Sequence, residues 1–246
     1  MRPLKAMELL TVWERGLNQT LLERVLTLLT AACPEIDSEA IAELSIGERD
    51  ARLLQLREWM FGSRLVNTAK CPQCAQRVEW ENRIADIRIL PSPITPSPAE
   101  FNLNVADYGL RFRLPTSMDI AVVINAPRGA STPQALLKRC IVSARYMGEA
   151  SDPDSLPEDV LVAIERRIDE LGPQAEIRID LTCPQCSHRW EALFDIASFL
   201  WTEINHWAER TLRTVHKLAR AYGWSERDIL NLSPVRRQLY LGLVNQ

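Results

Sequence analysis

Two identical Cys-Pro-Gln-Cys segments constrain the fold of this chain more than any other feature of its sequence. The pairs are Cys71/Cys74 and Cys183/Cys186, and an arginine follows each pair three residues later. Two cysteines at this spacing direct both thiolates at one metal ion, and two such turns supply the four sulfurs of a closed, tetrahedral zinc site. We therefore expect Cys71, Cys74, Cys183 and Cys186 to bind one structural Zn²⁺.

The two pairs are unusually far apart. About 110 residues separate them, whereas a compact zinc ribbon has roughly 15 to 20. The spacing predicts a split zinc ribbon, formed by residues 65–90 and 173–195, with a hairpin and helices inserted at 91–172. Zinc closure contributes on the order of 10 kcal/mol at neutral pH, enough to hold the two chain halves together.

Three other interpretations of the cysteines remain open. They could be two independent redox pairs, although a redox Cys-x-x-Cys normally opens a helix in a βαβ unit and neither pair does. They could also be a former site that has lost its metal. In a third variant, His188 replaces one cysteine as a ligand.

The rest of the chain is predicted to be mainly α with small β (α+β). Residues 1–64 and 196–246 form helical regions, because their apolar residues recur with helical spacing. Ser45 with Glu48, and Ser225 with Asp228, have the spacing of helix N-caps. Thr132-Pro133 and Pro157 mark further helix starts. Apolar and polar residues alternate in 101–105 and 110–114, on either side of Asp107-Tyr108-Gly109, which predicts a hairpin. The same alternation in 177–181 predicts a strand. The prolines of 91–98 indicate a linker.

The amino-acid composition and net charge exclude several classes of protein. The chain has 246 residues, 46% of them hydrophobic, and a net charge of -3, so it is an ordinary globular protein without the charge of a nucleic-acid coat. No apolar run is long enough to span a membrane or to act as a signal peptide. We expect a cytoplasmic protein.

The sequence contains no recognisable catalytic motif. The three histidines do not have metalloprotease spacing, and a glycine-rich phosphate loop is lacking. We expect no enzymatic activity and no small-molecule substrate. A zinc-dependent enzyme would need an open coordination position that four cysteines do not leave.

Read in order, several segments resemble one protein family. They are Leu9-Leu10 with Trp13-Glu14, residues 44–50, Phe61-Gly62, the two Cys-Pro-Gln-Cys segments, residues 111–115, Phe199-Leu200-Trp201, residues 221–226 and Arg236-Arg237. Together they are similar to the phage T4-type baseplate proteins involved in hub assembly, which occur with phage tails and extracellular contractile injection systems. The resemblance spans nearly the whole chain.

The resemblance implies an assembly factor, a chaperone or adaptor, whose partners are baseplate, hub or spike proteins. The alternative is a minor subunit that stays in the particle. Tyr222, Trp224, Arg236 and Arg237 are the candidate partner contacts. Trp224 follows a helix break, where its ring either staples two helices or faces a partner.

A nucleic-acid-binding zinc-ribbon protein is the alternative from another class. The tail, residues 205–246, has seven basic and three acidic side chains and is similar to a helix-turn-helix pair. Against this, Arg210, Arg213, Lys217 and Arg220 have the spacing of an ordinary solvated helix face.

Overall fold

The computed structural model describes residues 1–89, 99–126 and 132–244, and helices dominate them. The helices are α1 (Ala6–Gly16), α2 (Leu21–Ala32), α3 (Ser38–Ala42), α4 (Ile46–Phe61), α5 (Ile84–Ile87), α6 (Ser117–Ile124), α7 (Pro133–Cys140), α8 (Glu158–Leu171), α9 (Ile196–Tyr222), α10 (Glu226–Asn231) and α11 (Pro234–Val244). Short 3₁₀ helices cover Pro153–Ser155 and Pro173–Ala175.

The strands form small antiparallel sheets. They are β1 (Arg64–Lys70), β2 (Arg77–Arg83), β3 (Glu100–Val105), β4 (Tyr108–Arg113), β5 (Ile141–Tyr146), β6 (Glu149–Ser151), β7 (Ile177–Thr182) and β8 (Arg189–Phe194). The pairs β1–β2 and β7–β8 are separate two-stranded sheets, and β3-β4-β5-β6 is a four-stranded sheet. The predicted fold class, mainly α with small β, is confirmed.

Local capping chemistry determines where several helices begin. The side chain of Ser45 accepts a hydrogen bond from the Glu48 N–H, Thr132 accepts from Ala135, and Ser225 accepts from Asp228. Each hydroxyl satisfies a backbone donor that the first helical turn leaves unpaired. At α6, Thr116 is the cap and accepts from the Asp119 N–H.

The central region differs from the prediction in two places. The hairpin turns at Ala106, whose φ is 50°, so β4 begins at Tyr108 and not at residue 110. Strands β5 and β6 were not predicted; they are joined at Met147 and Gly148, which both have positive φ. The linker predicted at 91–98 lies outside the described residues.

The chain forms two compact units. The first comprises Met1–Glu35 and Ala197–Gln246, and the second comprises Ile36–Ile196. The finer division drawn from the sequence, with a split ribbon and an insertion, stays a prediction.

In the first unit, α1, α9 and α10 share an apolar core. Its buried members are Leu10, Ala208, Val215, Leu218, Ile229 and Leu230. The indole N–H of Trp13 donates to Asn205 Oδ1 at 3.0 Å, which fixes α1 against α9.

Gly16, the last residue of α1, lies directly against the Trp201 ring of α9. A Cβ built on Gly16 would overlap Cη2 of Trp201 and lie 2.5 Å from its Cζ2. The Arg24 guanidinium lies 5.0 Å from the centroid of the same indole, and Arg24 Nε donates to the Gly16 carbonyl at 2.7 Å. Glycine at this position therefore makes room for the buried ring.

We predict that Gly16→Ala destabilises the protein by about 1–3 kcal/mol, because the added methyl group forces the packed Trp201 ring to move. This cost exceeds the small gain in helix propensity at a helix end. Gly242 in α11 is the matched control, since its Cβ would have no atom within 4 Å. Urea unfolding should show that Gly242→Ala leaves the free energy of unfolding unchanged or raises it slightly. Equal effects of the two variants would contradict the packing argument.

In the second unit, the four-stranded sheet packs against α8. The core contains Leu110, Phe112, Ile141, Ala144, Leu156, Val160, Leu161 and Ile164. No helix among the described residues combines the length and the apolar composition that crossing a membrane requires.

Candidate metal centre

The two Cys-Pro-Gln-Cys segments fold into the same turn. The Cys71 N–H donates to the Gln76 carbonyl at 2.8 Å, and the Cys183 N–H donates to that of His188 at 2.9 Å. In each turn the residue after the second cysteine, Ala75 or Ser187, has a φ near +60° (61° and 60°) and donates to the carbonyl of the first cysteine. The turns therefore present their sulfurs in the same way.

The four sulfurs converge on one point. Cys71 Sγ lies 3.7 Å from Cys186 Sγ, and Cys74 Sγ lies 3.5 Å from Cys183 Sγ. All four sulfurs lie within 4.8 Å of one another. A tetrahedron with zinc–sulfur bonds of about 2.3 Å has sulfur–sulfur edges of about 3.8 Å. The predicted ligands are thus close enough to bind one metal ion, with each turn supplying two of them.

Backbone donors and mutual repulsion determine the electrostatics of the thiols. Burial opposes ionisation of Cys183, but the N–H groups of Cys186 and Gln185 outweigh it and lower its pKa to about 7. The His188 N–H favours the Cys186 thiolate, yet burial and the other three cysteines raise the pKa of Cys186 to about 12. Four thiolates in this space require a cation between them.

Hydrogen bonds at the base of the two hairpins connect segments that are distant in sequence. The side chain of Gln174, which is buried, accepts a hydrogen bond from the Ile89 N–H and donates to the Ile87 carbonyl at 3.1 Å. Ile87 and Ile89 follow the first hairpin, and Gln174 lies three residues before the second. Gln174 therefore links the two hairpins at the ends opposite to their cysteines.

Two of the four cysteines, Cys71 and Cys183, have buried apolar surroundings, whereas Cys74 is exposed. Cys71 and Cys183 are buried with Val78, and Trp190 packs against them. The His188 ring stacks on Trp190, with ring centroids 6.2 Å apart. Among the described residues, the cluster that could hold a metal consists of the four cysteines, without His188.

The other predicted site residues lie in the tail, where they have different surroundings. Trp224 stacks on Tyr222 at 4.7 Å and contacts Tyr240 of α11 edge-on at 4.9 Å, so its ring links the end of α9 to α11. Arg237 is half-buried and donates to the Leu230 carbonyl, and burial lowers its pKa. Arg236 is exposed. Their contact with a partner stays a prediction.

Sequence reasoning missed an exposed apolar face on α11. Val235, Leu239 and Leu243 are 69%, 65% and 59% exposed. They recur every four residues and so lie on one side of the helix, while Tyr240, Leu241 and Val244 pack on the core. Because α11 is apolar on two sides, periodicity alone does not show which side is exposed.

A family model described as T4 bacteriophage base plate protein matches residues 5–201. The match includes both cysteine pairs and ends before the tail residues. No curated protein and no solved structure matches the chain.

Proposed function

Because the chain belongs to the T4 bacteriophage base plate protein family, we propose that it is a non-enzymatic assembly factor for a contractile tail or injection system. It acts as a chaperone or adaptor on the baseplate, hub or spike, in the cytoplasm of the producing cell. One structural zinc ion holds its two cysteine turns together.

The exposed face of α11 is the observation that carries the binding role. Three large aliphatic side chains on one side of a helix are costly to leave in water, and contiguous exposed apolar patches commonly mark protein interfaces. α11 has two arginines and no acidic residue, and Arg236 is exposed beside the apolar face. The occupant is therefore a baseplate, hub or spike protein that presents an apolar surface flanked by carboxylates.

The structural role of zinc follows from the donor set. Four thiolates complete a tetrahedral shell and leave no coordination position for a substrate or an activated water. The metal then stabilises the fold and takes no part in a reaction.

The test is co-purification of the tagged chain with the baseplate, hub and spike proteins of its particle, together with metal analysis. Leu239→Glu and Arg236→Glu should each weaken capture of the partner at least about tenfold, because a charge replaces an apolar contact or opposes the partner's carboxylates. Val122→Glu, at an exposed position of α6, is the matched control and should leave capture unchanged. Equal capture by all three variants would contradict the α11 interface.

The finished particle distinguishes the remaining alternatives. An assembly factor leaves no copy in the particle, whereas a minor subunit is present at a fixed number per particle. Capture of DNA with steep salt dependence would instead favour the nucleic-acid alternative. Arg213, one of the basic residues on α9, is paired with Glu209 at 3.2 Å, as on an ordinary solvated helix.

A further inference from the structure

The second unit contains an open groove that is distinct from the cysteine cluster. Its volume is about 540 Å³, and its apolar walls include Leu114, Leu136, Leu137, Ile168 and Leu193. Pockets of about 300–1,000 Å³ typically enclose small ligands. A groove of this size therefore has room for a few side chains of an extended segment.

One side of the groove carries negative charge that is not neutralised. Glu165 and Asp169 lie one turn apart on α8, both exposed, and neither forms an ion pair with a described residue. Like charges at this spacing repel each other on a helix. The arginine of the groove, Arg178, is already held by Glu176 at 2.7 Å and by Glu191 at 3.1 Å. The side chains of Glu165 and Asp169 thus line the groove without a cationic partner among the described residues.

The hairpin that carries the second cysteine pair forms one wall of this groove. Arg178 of β7 and Leu193 of β8 are directly paired across the strands, and Cys183 and Cys186 lie in the turn at the other end. The groove wall is therefore continuous with the hairpin whose turn brings Cys183 and Cys186 to the first cysteine pair.

We infer that this groove binds an extended segment of a baseplate, hub or spike protein in which apolar side chains stand next to a lysine or arginine. The apolar side chains fill the space between Leu137, Ile168 and Leu193, and the cation pairs with Glu165 and Asp169. This inference rests on the proposed function and gives the protein a second contact, which recognises the opposite charge from the α11 face.

The test measures the affinity of the metal-loaded full-length chain for the purified partner that co-purifies with it. The double variant Glu165→Lys/Asp169→Lys should bind at least about tenfold more weakly, because it reverses the charge that faces the partner's cation. Leu193→Lys should act in the same direction, because it replaces an apolar contact with a charge that repels the partner's cation. The substitution is safe for the fold, since this side chain is largely exposed. Replacing the partner's lysine or arginine with glutamate should restore binding to the double variant.

Asp107→Lys/Glu149→Lys is the matched control: it makes the same change in net charge at exposed residues of the same unit, outside the groove. Equal weakening in the control, or undiminished binding by the groove variants, would overturn the inference. So would self-association of the chain that the groove variants abolish, because the occupant would then be a second copy. If only the Leu239 substitution weakens partner binding, the groove inference fails and the proposed function stands. If no particle protein co-purifies with the chain, the proposed function and the groove inference both fail.

Discussion

Cys183→Ser should release the metal and lower the melting temperature by about 10–20 °C. This shift corresponds to a loss of roughly 5 kcal/mol or more in the free energy of unfolding of a unit of this size. Serine is a poor zinc ligand, so replacing Cys183 with serine leaves three sulfurs crowded around an incomplete site. Structural zinc supplies about 10–16 kcal/mol in small zinc domains, which is comparable to the whole stability of a typical protein. Metal analysis and thermal unfolding, with and without a chelator, measure both effects.

A single metal site shared by the two cysteine pairs predicts a further result, which two independent redox pairs do not predict. Cys71→Ser should cause the same loss as Cys183→Ser, and combining them should add little, because the first substitution already removes the ion. Cys140→Ser is the control: Cys140 is a buried thiol that donates to the Leu136 carbonyl, a bond that serine also makes. Full metal content in Cys183→Ser, or a disulfide within each pair, would rule out the shared zinc site.

The parts of the structure that could be predicted from the sequence depend on local chemistry. The caps at Ser45, Thr132 and Ser225 involve residues three apart, and the sequence shows them directly. The cysteine cluster is not local, yet the number and spacing of ligands required by one ion predicted that the two pairs would meet.

Features that depend on distant packing could not be predicted. Gly16 has its role because of a ring 185 residues later, at Trp201, and nothing near Gly16 in the sequence indicates it. Strand β5 directly follows the last residue of α7, without a proline or glycine to mark the change. The turn after it has a positive φ at Met147, a residue that rarely adopts this conformation. The groove combines segments from residue 45 to residue 193, so only the folded unit reveals it.

The proposed roles of the exposed α11 face and of the cysteine cluster assign binding and stability to different residues. If the cysteines bind zinc as proposed, they hold distant segments of the second unit together, and their removal should affect folding first. Leu239 and Arg236 contribute little to the core, so their substitution should affect binding first. Measuring melting temperature and partner affinity on the same variants therefore tests whether the two roles reside in different residues.

Asp119→Ala should destabilise the second unit by about 3–5 kcal/mol, because it removes a buried anion that accepts five hydrogen bonds and leaves the partly buried Arg113 without its carboxylate partner. The Asp119 side chain is 1% exposed. Arg113 donates to its two carboxylate oxygens at 2.5 and 2.9 Å, Arg139 donates at 3.1 Å, and the Thr116 N–H and hydroxyl both donate at 3.0 Å. The carboxylate thereby joins the end of β4, the start of α6 and the end of α7.

An exposed carboxylate and the pH dependence of unfolding provide two controls for the Asp119 prediction. Glu170 also bridges two arginines, Arg166 and Arg167, but it is 46% exposed, so Glu170→Ala should change the unfolding free energy little. Burial by itself would raise the pKa of Asp119, but hydrogen bonds from Arg113 and Thr116 outweigh it and hold the pKa below its ordinary value. The stabilisation is therefore present above pH about 4 and is lost as the pH falls below that value, through the pKa of the folded state. Urea unfolding across this range should show a smaller acid-induced loss in Asp119→Asn than in the wild type; parallel curves would show that Asp119 is not the group responsible.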